Sequence, residues 1–224
     1  MRSRGTARKS HGTGDVRSVT VTAAMLLLSV VLLVLVVLLA LFVGADAWYF
    51  VRMLMTVGAA LMRRQEKDVL KEHGYHGIVL LSDIDHMGHM NNARYLRECD
   101  FARTALCITH GIIKAMRELR GGMVLGASTI RYRRSLRFLQ RFVIRSRILC
   151  WDEKAFYVEQ RVIMQSDGFV AAIALARLNV TGTSPEHILR LLCRRAVQGP
   201  DPPPEVLSWL EYNRQSSEML RNSS

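Results

Sequence analysis

The longest feature of the hydrophobic pattern lies near the N-terminus, where the 28 residues from Ser18 to Ala45 carry no charge. As an α-helix they would extend about 42 Å at ~1.5 Å per residue, whereas the hydrocarbon core of a bilayer is ~30 Å thick. Three aromatic residues, 48–50, follow where an interfacial belt would lie. The pattern therefore predicts a membrane-spanning anchor or signal-anchor over residues 18–45.

Two questions about this segment stay open. Ala45-Asp46-Ala47 is typical of a signal-peptidase site, so a cleaved signal and a lumenal or secreted domain are the alternative to a retained anchor. The basic tail, residues 1–17, holds five Lys or Arg against three in residues 46–65, which favours a lumenal domain, but a start at Met25 removes the five and reverses the prediction. Residues 46–72 are predicted as an interfacial or linker helix, because residues 47–62 are apolar apart from Arg52 and the chain is densely charged afterwards.

The pattern after residue 73 predicts one α+β domain. A short apolar run, Ile78–Leu81, indicates a strand. Ala93–Thr109 has the apolar spacing of a largely enclosed helix, with Leu96, Cys99 and Ala102 among the residues on its buried side, and a short helix follows over 112–120. From Met123 the period changes to two. In Arg141–Cys150 this spacing puts Phe142, Ile144, Ile148 and Cys150 on one face. Further strands are predicted over 155–163 and 169–181, and helices over 184–195 and after a proline-rich linker, 200–204. We therefore expect an antiparallel sheet wrapped around one long buried helix, with the domain at 73–183 and C-terminal helices at 184–224.

Composition adds a constraint on the partners. The chain holds 31 Lys and Arg against 19 Asp and Glu, a net charge of +12, which favours an anionic partner such as a phosphorylated molecule, a lipid headgroup or nucleic acid. Its four cysteines form no C-x-x-C pair and are too sparse for a disulfide framework, so they indicate free thiols in a reducing compartment.

The residues best suited to catalysis lie between Ser82 and Tyr95. This segment packs two carboxylates, two imidazoles and two amides into a loop that leads into the N-terminus of the predicted buried helix. The free N–H groups there suit the oxyanion of an acyl-transfer reaction, a carboxylate upstream can activate water or attack the carbonyl, and a nearby histidine can carry the proton. None of these roles requires a metal, and His73, His76 and His86 have no regular metal-ligand spacing.

The motif Asp83-x-Asp85, His89, Asn91-Asn92 and Tyr95 resembles the signature of hotdog-fold thioesterases of the 4-hydroxybenzoyl-CoA thioesterase type. The resemblance implies a hotdog fold, a homodimer with the active site between protomers, and Asp85 as the catalytic carboxylate. His89 matches the histidine of the similar plant acyl-carrier-protein thioesterases, and the backbone N–H near Asn92 matches the oxyanion donor. Where the plant enzymes carry a functional asparagine, this chain has Met87. Asp83, Asn91 and Tyr95 are interpreted as structural: two caps and a packing residue.

Seven arginines between Arg131 and Arg147, with no acid among them, form the second notable feature. Guanidinium groups bind phosphate bidentately, so Arg131, Arg133 and Arg134 are predicted to bind the phosphates of coenzyme A, which enters as part of the substrate; no separate cofactor or metal is expected. The alternative is a solvated strand face. Nucleic acid is not expected, because the sheet lacks interleaved aromatic residues.

Together these features predict a membrane-anchored acyl-CoA thioesterase of lipid metabolism that hydrolyses fatty acyl thioesters. Its expected location is the endoplasmic reticulum, with the domain facing the cytosol, because acyl-CoA chemistry and free thiols outweigh the charge bias of the tail. The alternative is a hotdog protein without turnover that binds acyl chains or partners at the membrane and influences lipid homeostasis; Met87 keeps this alternative open.

Overall fold

The N-terminal part of the chain is dominated by one long helix. The structure, a computed structural model, describes residues 13–44 and 46–222, with the side chains of 13–18 left out, and its first unit ends at Arg52. Helix α1, Thr13–Gly44, contains the 26-residue apolar stretch Val19–Gly44, none of which is buried. The predicted span, 18–45, coincides with this helix, which is long and apolar enough to cross a membrane. The helix begins before the predicted start, so residues 13–17 of the predicted tail are helical; residues 1–12 and Ala45 lie outside the described residues.

Helix α2, Ala47–Leu61, is shorter than the predicted linker helix over 46–72. The chain leaves the helix where the charged residues begin, and polar side chains then organise the non-helical segment 62–72. The Asp68 carboxylate accepts the N–H of Leu70 at 3.0 Å, and the Glu66 carboxylate accepts the N–H of Lys67 at 2.9 Å. Side-chain acceptors of this kind offer the backbone an alternative to helical hydrogen bonds.

The second unit, from Met53 onward, is built on a five-stranded antiparallel sheet with the strand order β1-β3-β4-β5-β2. The strands are β1 (His73–Ile78), β2 (Gly122–Tyr132), β3 (Arg141–Trp151), β4 (Ala155–Met164) and β5 (Val170–Thr181). The helices are α3 (Asn92–Thr109), α4 (Ile112–Glu118), α5 (Pro185–Cys193) and α6 (Pro204–Asn222). The sheet holds α3 against one face, as the period-two strands and the enclosed helix predict.

Helix α3 joins two apolar clusters of the core. Near its N-terminal end Cys99 and Ala102 pack with residues of β3 and β5, and near its C-terminal end Leu106 and Cys107 pack with α4 and α5. A buried polar contact fixes the helix on the sheet: the Gln160 amide donates to the Cys99 carbonyl at 2.8 Å and accepts from Arg103 at 2.8 Å. Because every buried partner is satisfied there, α3 has one defined position.

Three details of the predicted pattern are wrong. Strand β1 lies at His73–Ile78, not at 78–81, because its ladder with β3 runs from Ile78 opposite Arg141 back to His73 opposite Ser146. The strand is rich in glycine and histidine, so it carries no hydrophobic signal. Leu96, predicted on the buried side of α3, is 36% exposed, and its neighbour Tyr95 is buried instead.

The third detail concerns Cys150. A β-bulge between Ile148 and Cys150 shifts the register of β3 on β4. Beyond it Cys150 packs with Leu149, Tyr157 and Val206 of α6, away from the cluster that holds Phe142 and Ile144. One extra residue reverses the inward and outward alternation of a strand, which the sequence pattern cannot show.

Candidate active site

The loop before α3 is a closed hairpin. Ile84 and Met90 form a β-bridge, the Asp85 N–H donates to the His89 carbonyl at 3.0 Å, and the Gly88 N–H donates to the Asp85 carbonyl at 3.0 Å. Gly88 has φ of +77°, a conformation that a residue with a Cβ adopts at a cost. The turn thus brings the side chains of Asp85 and His89 to the same end of the hairpin.

Asp85 and His89 are close but not hydrogen-bonded. The His89 Nδ1 lies 3.7 Å from the Asp85 Oδ1, and it also lies 3.3 Å from the carbonyl of Met90. The Asp85 Oδ1 accepts the N–H of Met87 at 2.9 Å, which fixes the carboxylate, and the carboxylate is 15% exposed. The Met87 side chain is 68% exposed, and its thioether lacks the polar groups of an amide. The site thus contains an oriented, water-accessible carboxylate and an imidazole nitrogen slightly beyond hydrogen-bond distance from it.

The start of α3 lies at the position where an oxyanion donor is predicted. Asn91 is the N-cap: its side-chain oxygen accepts the N–H of Ala93 at 2.9 Å, while its carbonyl accepts the N–H of Arg94 at 2.9 Å. Asn92 is the first residue of the helix, and its N–H makes no hydrogen bond within residues 46–222. An unpaired N–H at a helix N-terminus is well suited to an anionic oxygen.

Asp83 has a structural environment, as its interpretation as a cap predicts. It is 1% exposed, its carboxylate accepts the N–H of Leu80 at 2.9 Å, and it is paired with the guanidinium of Arg97. Arg97 also lies 3.6 Å from Glu98. Asp83 and Asp85, two residues apart, therefore differ in environment: the Asp83 carboxylate is enclosed by its partners, whereas Asp85 is partly exposed. The role of Arg97 was not predicted, because only the turn of the loop brings residue 97 back to residue 83.

Two tyrosines join the loop before α3 and the start of α3 to the end of β2. The Tyr132 hydroxyl donates to the Asn92 carbonyl at 2.9 Å, and the Tyr95 hydroxyl accepts the N–H of Leu136 at 2.9 Å. Their rings meet edge to face with centroids 5.3 Å apart, and burial raises the pKa of Tyr95 above its usual value. The Leu136 carbonyl in turn accepts the N–H of Met90 at 2.8 Å. The predicted phosphate-binding segment is therefore fixed beside the start of α3.

The three predicted phosphate-binding arginines differ in their contacts. Arg133 and Arg134 both lie over the ring of Phe169, at 4.7 and 3.7 Å from its centroid, and Arg134 forms an ion pair with Asp167. Arg131 is exposed and makes no ion pair in the part of the chain that the structure describes. Of the other arginines in the run, Arg145 pairs with Glu72 and Arg147 with Glu159, which accounts for them as parts of a charged strand face.

The remaining histidines lie apart. His76 contacts the Gln165 amide at 2.8 Å, His86 is exposed, and His73 is buried beside Arg63. Among the described residues no cluster of three or more His, Cys, Asp or Glu side chains is placed to hold a metal ion. All four cysteines are free, and burial raises the pKa of Cys99 and of Cys107 to about 12, which keeps both as thiols.

An antiparallel sheet wrapped around one helix, with a polar loop at the start of that helix, is the hotdog arrangement expected from the motif. Residues 79–210 match the sequence model of the thioesterase-like superfamily, and the chain therefore belongs to that superfamily. Within it the chain is similar to Protein THEM6 of Xenopus laevis, with 49% identity over 185 residues that make up 83% of this chain and 89% of that protein. Protein THEM6 of Danio rerio is also 49% identical, over 83% of this chain and 92% of that protein.

A solved structure agrees on the fold. A hypothetical protein, TT1821 from Thermus thermophilus, superposes on 57% of this chain and 100% of its own with a TM-score of 0.50 at 19% identity. The hotdog fold expected from the motif is confirmed.

Proposed function

We propose that this protein hydrolyses the thioester bond of acyl-CoA molecules. The observation that carries the proposal is that one short loop has a fixed, water-accessible carboxylate, Asp85, near one end and an N–H without a hydrogen-bond partner, that of Asn92, at the other. Membership of the thioesterase-like superfamily supports the same reaction class. In the net reaction a water oxygen bonds to the carbonyl carbon while the C–S bond breaks, which gives a fatty acid and the thiol of coenzyme A.

Each residue of the loop has one role in this scheme. Asp85 takes the proton of the attacking water or attacks the carbonyl itself, and His89, 3.7 Å away, carries the proton onward. The N–H of Asn92 stabilises the oxyanion, aided by the positive end of the α3 dipole. An exposed thioether at Met87 gives no polar help, so the scheme relies on Asp85.

The phosphates of coenzyme A would bind at the end of β2. Tyr132 fixes this segment to the carbonyl of Asn92, so the proposed phosphate site lies beside the start of α3. Among the described residues Arg131 and Arg133 form no ion pair, whereas Arg134 is paired with Asp167; Arg133 and Arg134 are oriented by Phe169. Planar, oriented guanidinium groups suit bidentate phosphate contacts.

A homodimer is part of the proposal. Strand β2 is an edge of the sheet, and it exposes Val124 and Leu125, at 57% and 47%. An exposed, apolar edge strand favours pairing with a second strand. Pairing at this edge would bring a second protomer next to the segment that carries Arg131.

The proposed location is the endoplasmic reticulum, with residues 46–224 in the cytosol and the apolar stretch Val19–Gly44 as the anchor. Four free thiols, three of them buried, fit a reducing compartment. A cleaved signal and a lumenal domain would be the contrary result.

The test is turnover by the full chain in a neutral detergent with a panel of acyl-CoA lengths. Asp85→Asn should lower kcat by about 100-fold or more, because a carboxamide keeps the shape of the side chain but neither takes a proton nor attacks. The matched control is Asp201→Asn, which removes the same charge from an exposed residue far along the chain.

Two outcomes would count against the scheme. Unchanged kcat in a folded Asp85→Asn protein removes Asp85 from the mechanism. Absence of turnover in the natural chain, together with tight binding of palmitoyl-CoA by calorimetry, supports the alternative of an inactive protein that binds acyl chains.

A further inference from the structure

Two adjoining cavities lie at the C-terminal end of α3, the opposite end from the catalytic loop. The first has a volume of about 830 Å³, and four basic side chains line it: Arg64, Lys67, Arg194 and Arg195. The second has a volume of about 460 Å³, and its walls include Val57, Leu61 and Ile113. Both volumes lie within the ~300–1,000 Å³ of small-molecule sites. One cavity is thus strongly basic, and the other has an apolar interior.

The two cavities share one wall. Gln65 lines both, and it packs against Gly111, where a Cβ would come within 2.2 Å of the Gln65 amide nitrogen. His110, next to Gly111, lines the basic cavity. A molecule in one cavity therefore adjoins the other across a single side chain.

The basic residues of the first cavity have no acidic partners. Arg64, Lys67, Arg194 and Arg195 form no ion pair with any residue in the described ranges, and all four are exposed. The acidic residue of that lining, Glu66, is already paired with Lys71 at 2.6 Å. Four unpaired cations around one cavity repel one another, and an anion would relieve this repulsion.

The lining of the second, more apolar cavity also includes basic residues. Arg63, Lys114 and Arg117 contribute to its lining, against the single acidic residue Glu118. The described part of the chain contains no ion pair of these three basic residues with a carboxylate. Three cationic side chains therefore line this cavity together with its apolar residues.

The segment that forms this wall is held in place. The Glu66 N–H donates to the Thr109 carbonyl at 2.9 Å, at the end of α3, and the His110 Nε2 lies 3.0 Å from the Lys71 carbonyl. These contacts tie residues 66–71 to a buried helix, so Lys67 extends from a fixed part of the backbone. A preorganised site loses less entropy when its ligand binds.

We propose that these cavities form a binding site for an anionic phospholipid, with the phosphate among Arg64, Lys67, Arg194 and Arg195 and one acyl chain in the cavity beside Val57 and Leu61. An anionic phospholipid joins the two chemistries in one molecule, since guanidinium groups bind phosphate bidentately and hydrocarbon is favoured in an apolar cavity.

The position of the wall in the chain supports a membrane lipid as the occupant. Val57 and Leu61 belong to α2, which begins three residues after the apolar stretch Val19–Gly44 ends, and Arg63 and Arg64 follow directly. Basic clusters close in sequence to a membrane span are typical sites of anionic lipids.

The test uses the full chain in a neutral detergent and native mass spectrometry to measure bound lipid. The probes are phosphatidic acid and phosphatidylcholine with identical palmitoyl and oleoyl chains, and palmitoyl-CoA as a third arm. Phosphatidic acid should bind as one tightly held molecule, well above phosphatidylcholine. Arg194→Gln with Arg195→Gln should weaken it by about 30-fold, since each basic side chain near an anionic lipid contributes about a fivefold factor.

Matched controls test whether lipid binding depends on the cavity residues or only on the overall charge and the exposed apolar surface. Arg137→Gln with Arg141→Gln removes the same two charges from exposed residues outside both cavities, and it should leave binding unchanged. Val57→Trp should fill the apolar cavity and reduce binding, whereas Leu54→Trp, at a 71% exposed position of the same helix, should not.

Three results would overturn the proposal: equal retention of phosphatidic acid and phosphatidylcholine, unchanged binding in the Arg194 and Arg195 double variant, or displacement of phosphatidic acid by an equal amount of palmitoyl-CoA. The last result would make the cavities an acyl-CoA site instead. Because the tested residues lie outside the catalytic loop, thioester hydrolysis by these variants should equal that of the natural chain.

Discussion

Replacement of His73 tests how burial of an imidazole couples the stability of this fold to pH. His73 is 7% exposed at the start of β1, with its Nε2 3.3 Å from the Arg63 guanidinium and 3.4 Å from the Thr109 hydroxyl. Its Nδ1 is buried and makes no hydrogen bond to any described residue. Burial first, then the charge of Arg63 and the neighbouring His110, lowers the pKa of His73 from 6.5 to about 4.

The direction of the effect follows from the two pKa values. In the unfolded chain His73 takes up a proton near pH 6.5, whereas in the folded protein it stays neutral down to about pH 4. Between these values the unfolded state binds more protons, so the free energy of unfolding falls as the pH falls. At ~1.36 kcal/mol per pH unit, the pKa difference corresponds to a loss of about 3 kcal/mol in the free energy of unfolding at low pH. Above pH 7 this loss is absent, because His73 is neutral in both states.

The assay is urea denaturation of the full chain in neutral detergent micelles at pH 7, 5.5 and 4, followed by the fluorescence of Trp151 and Trp209. Relative to His73→Gln, the natural chain should lose about 3 kcal/mol more of unfolding free energy between pH 7 and pH 4. His187→Gln, at an exposed position on α5, is the control and should follow the natural chain. Parallel pH profiles for His73→Gln and the natural chain would refute the reasoning.

The remaining predictions concern ligand, packing and topology. Arg131→Gln should weaken coenzyme A binding several-fold in calorimetry, and more at low salt because exposed charges are screened; equal affinity would leave Arg131 as a solvated residue. Tyr95→Phe leaves the buried N–H of Leu136 without its acceptor and should lower the free energy of unfolding by about 1–3 kcal/mol; a change below 0.5 kcal/mol on the ~1 kcal/mol scale of such bonds would contradict this role. In intact microsomes protease should remove a C-terminal tag, whereas protection until detergent is added would place the domain in the lumen.

Local patterns account for what could be predicted of the fold. The apolar spacing of 93–109 and the alternation in 141–150 reflect burial on one side of a helix and one face of a strand, and α3 and β3 lie close to the predicted ranges. Strand β1 could not be predicted from its side chains, because it is defined by its backbone hydrogen bonds to β3. The displaced Cys150 depends on a bulge whose cause lies in the pairing with β4.

The same distinction holds for the site. The cap at Asn91 involves residues two apart in sequence, so it follows from the motif alone. The contact of Arg97 with Asp83 and the hydrogen bond of Tyr132 to Asn92 join positions 14 and 40 residues apart, and no local signal marks them. Even so, the Tyr132 contact fixes the end of β2, which carries Arg131, at the start of α3.

Helix α3 supports both proposed sites and also keeps them independent. The catalytic loop lies before its first residue, Asn92, and the basic cavity lies beyond its last, Thr109, so 18 residues or about 27 Å of helix separate them. Gln160 fixes the middle of this helix to the sheet, which limits any shift transmitted from one end to the other. Substitutions separated by more than ~7–10 Å without shared partners act additively. Loss of lipid binding through Arg195 and loss of turnover through Asp85 are therefore separable results, and failure of either proposal leaves the other standing.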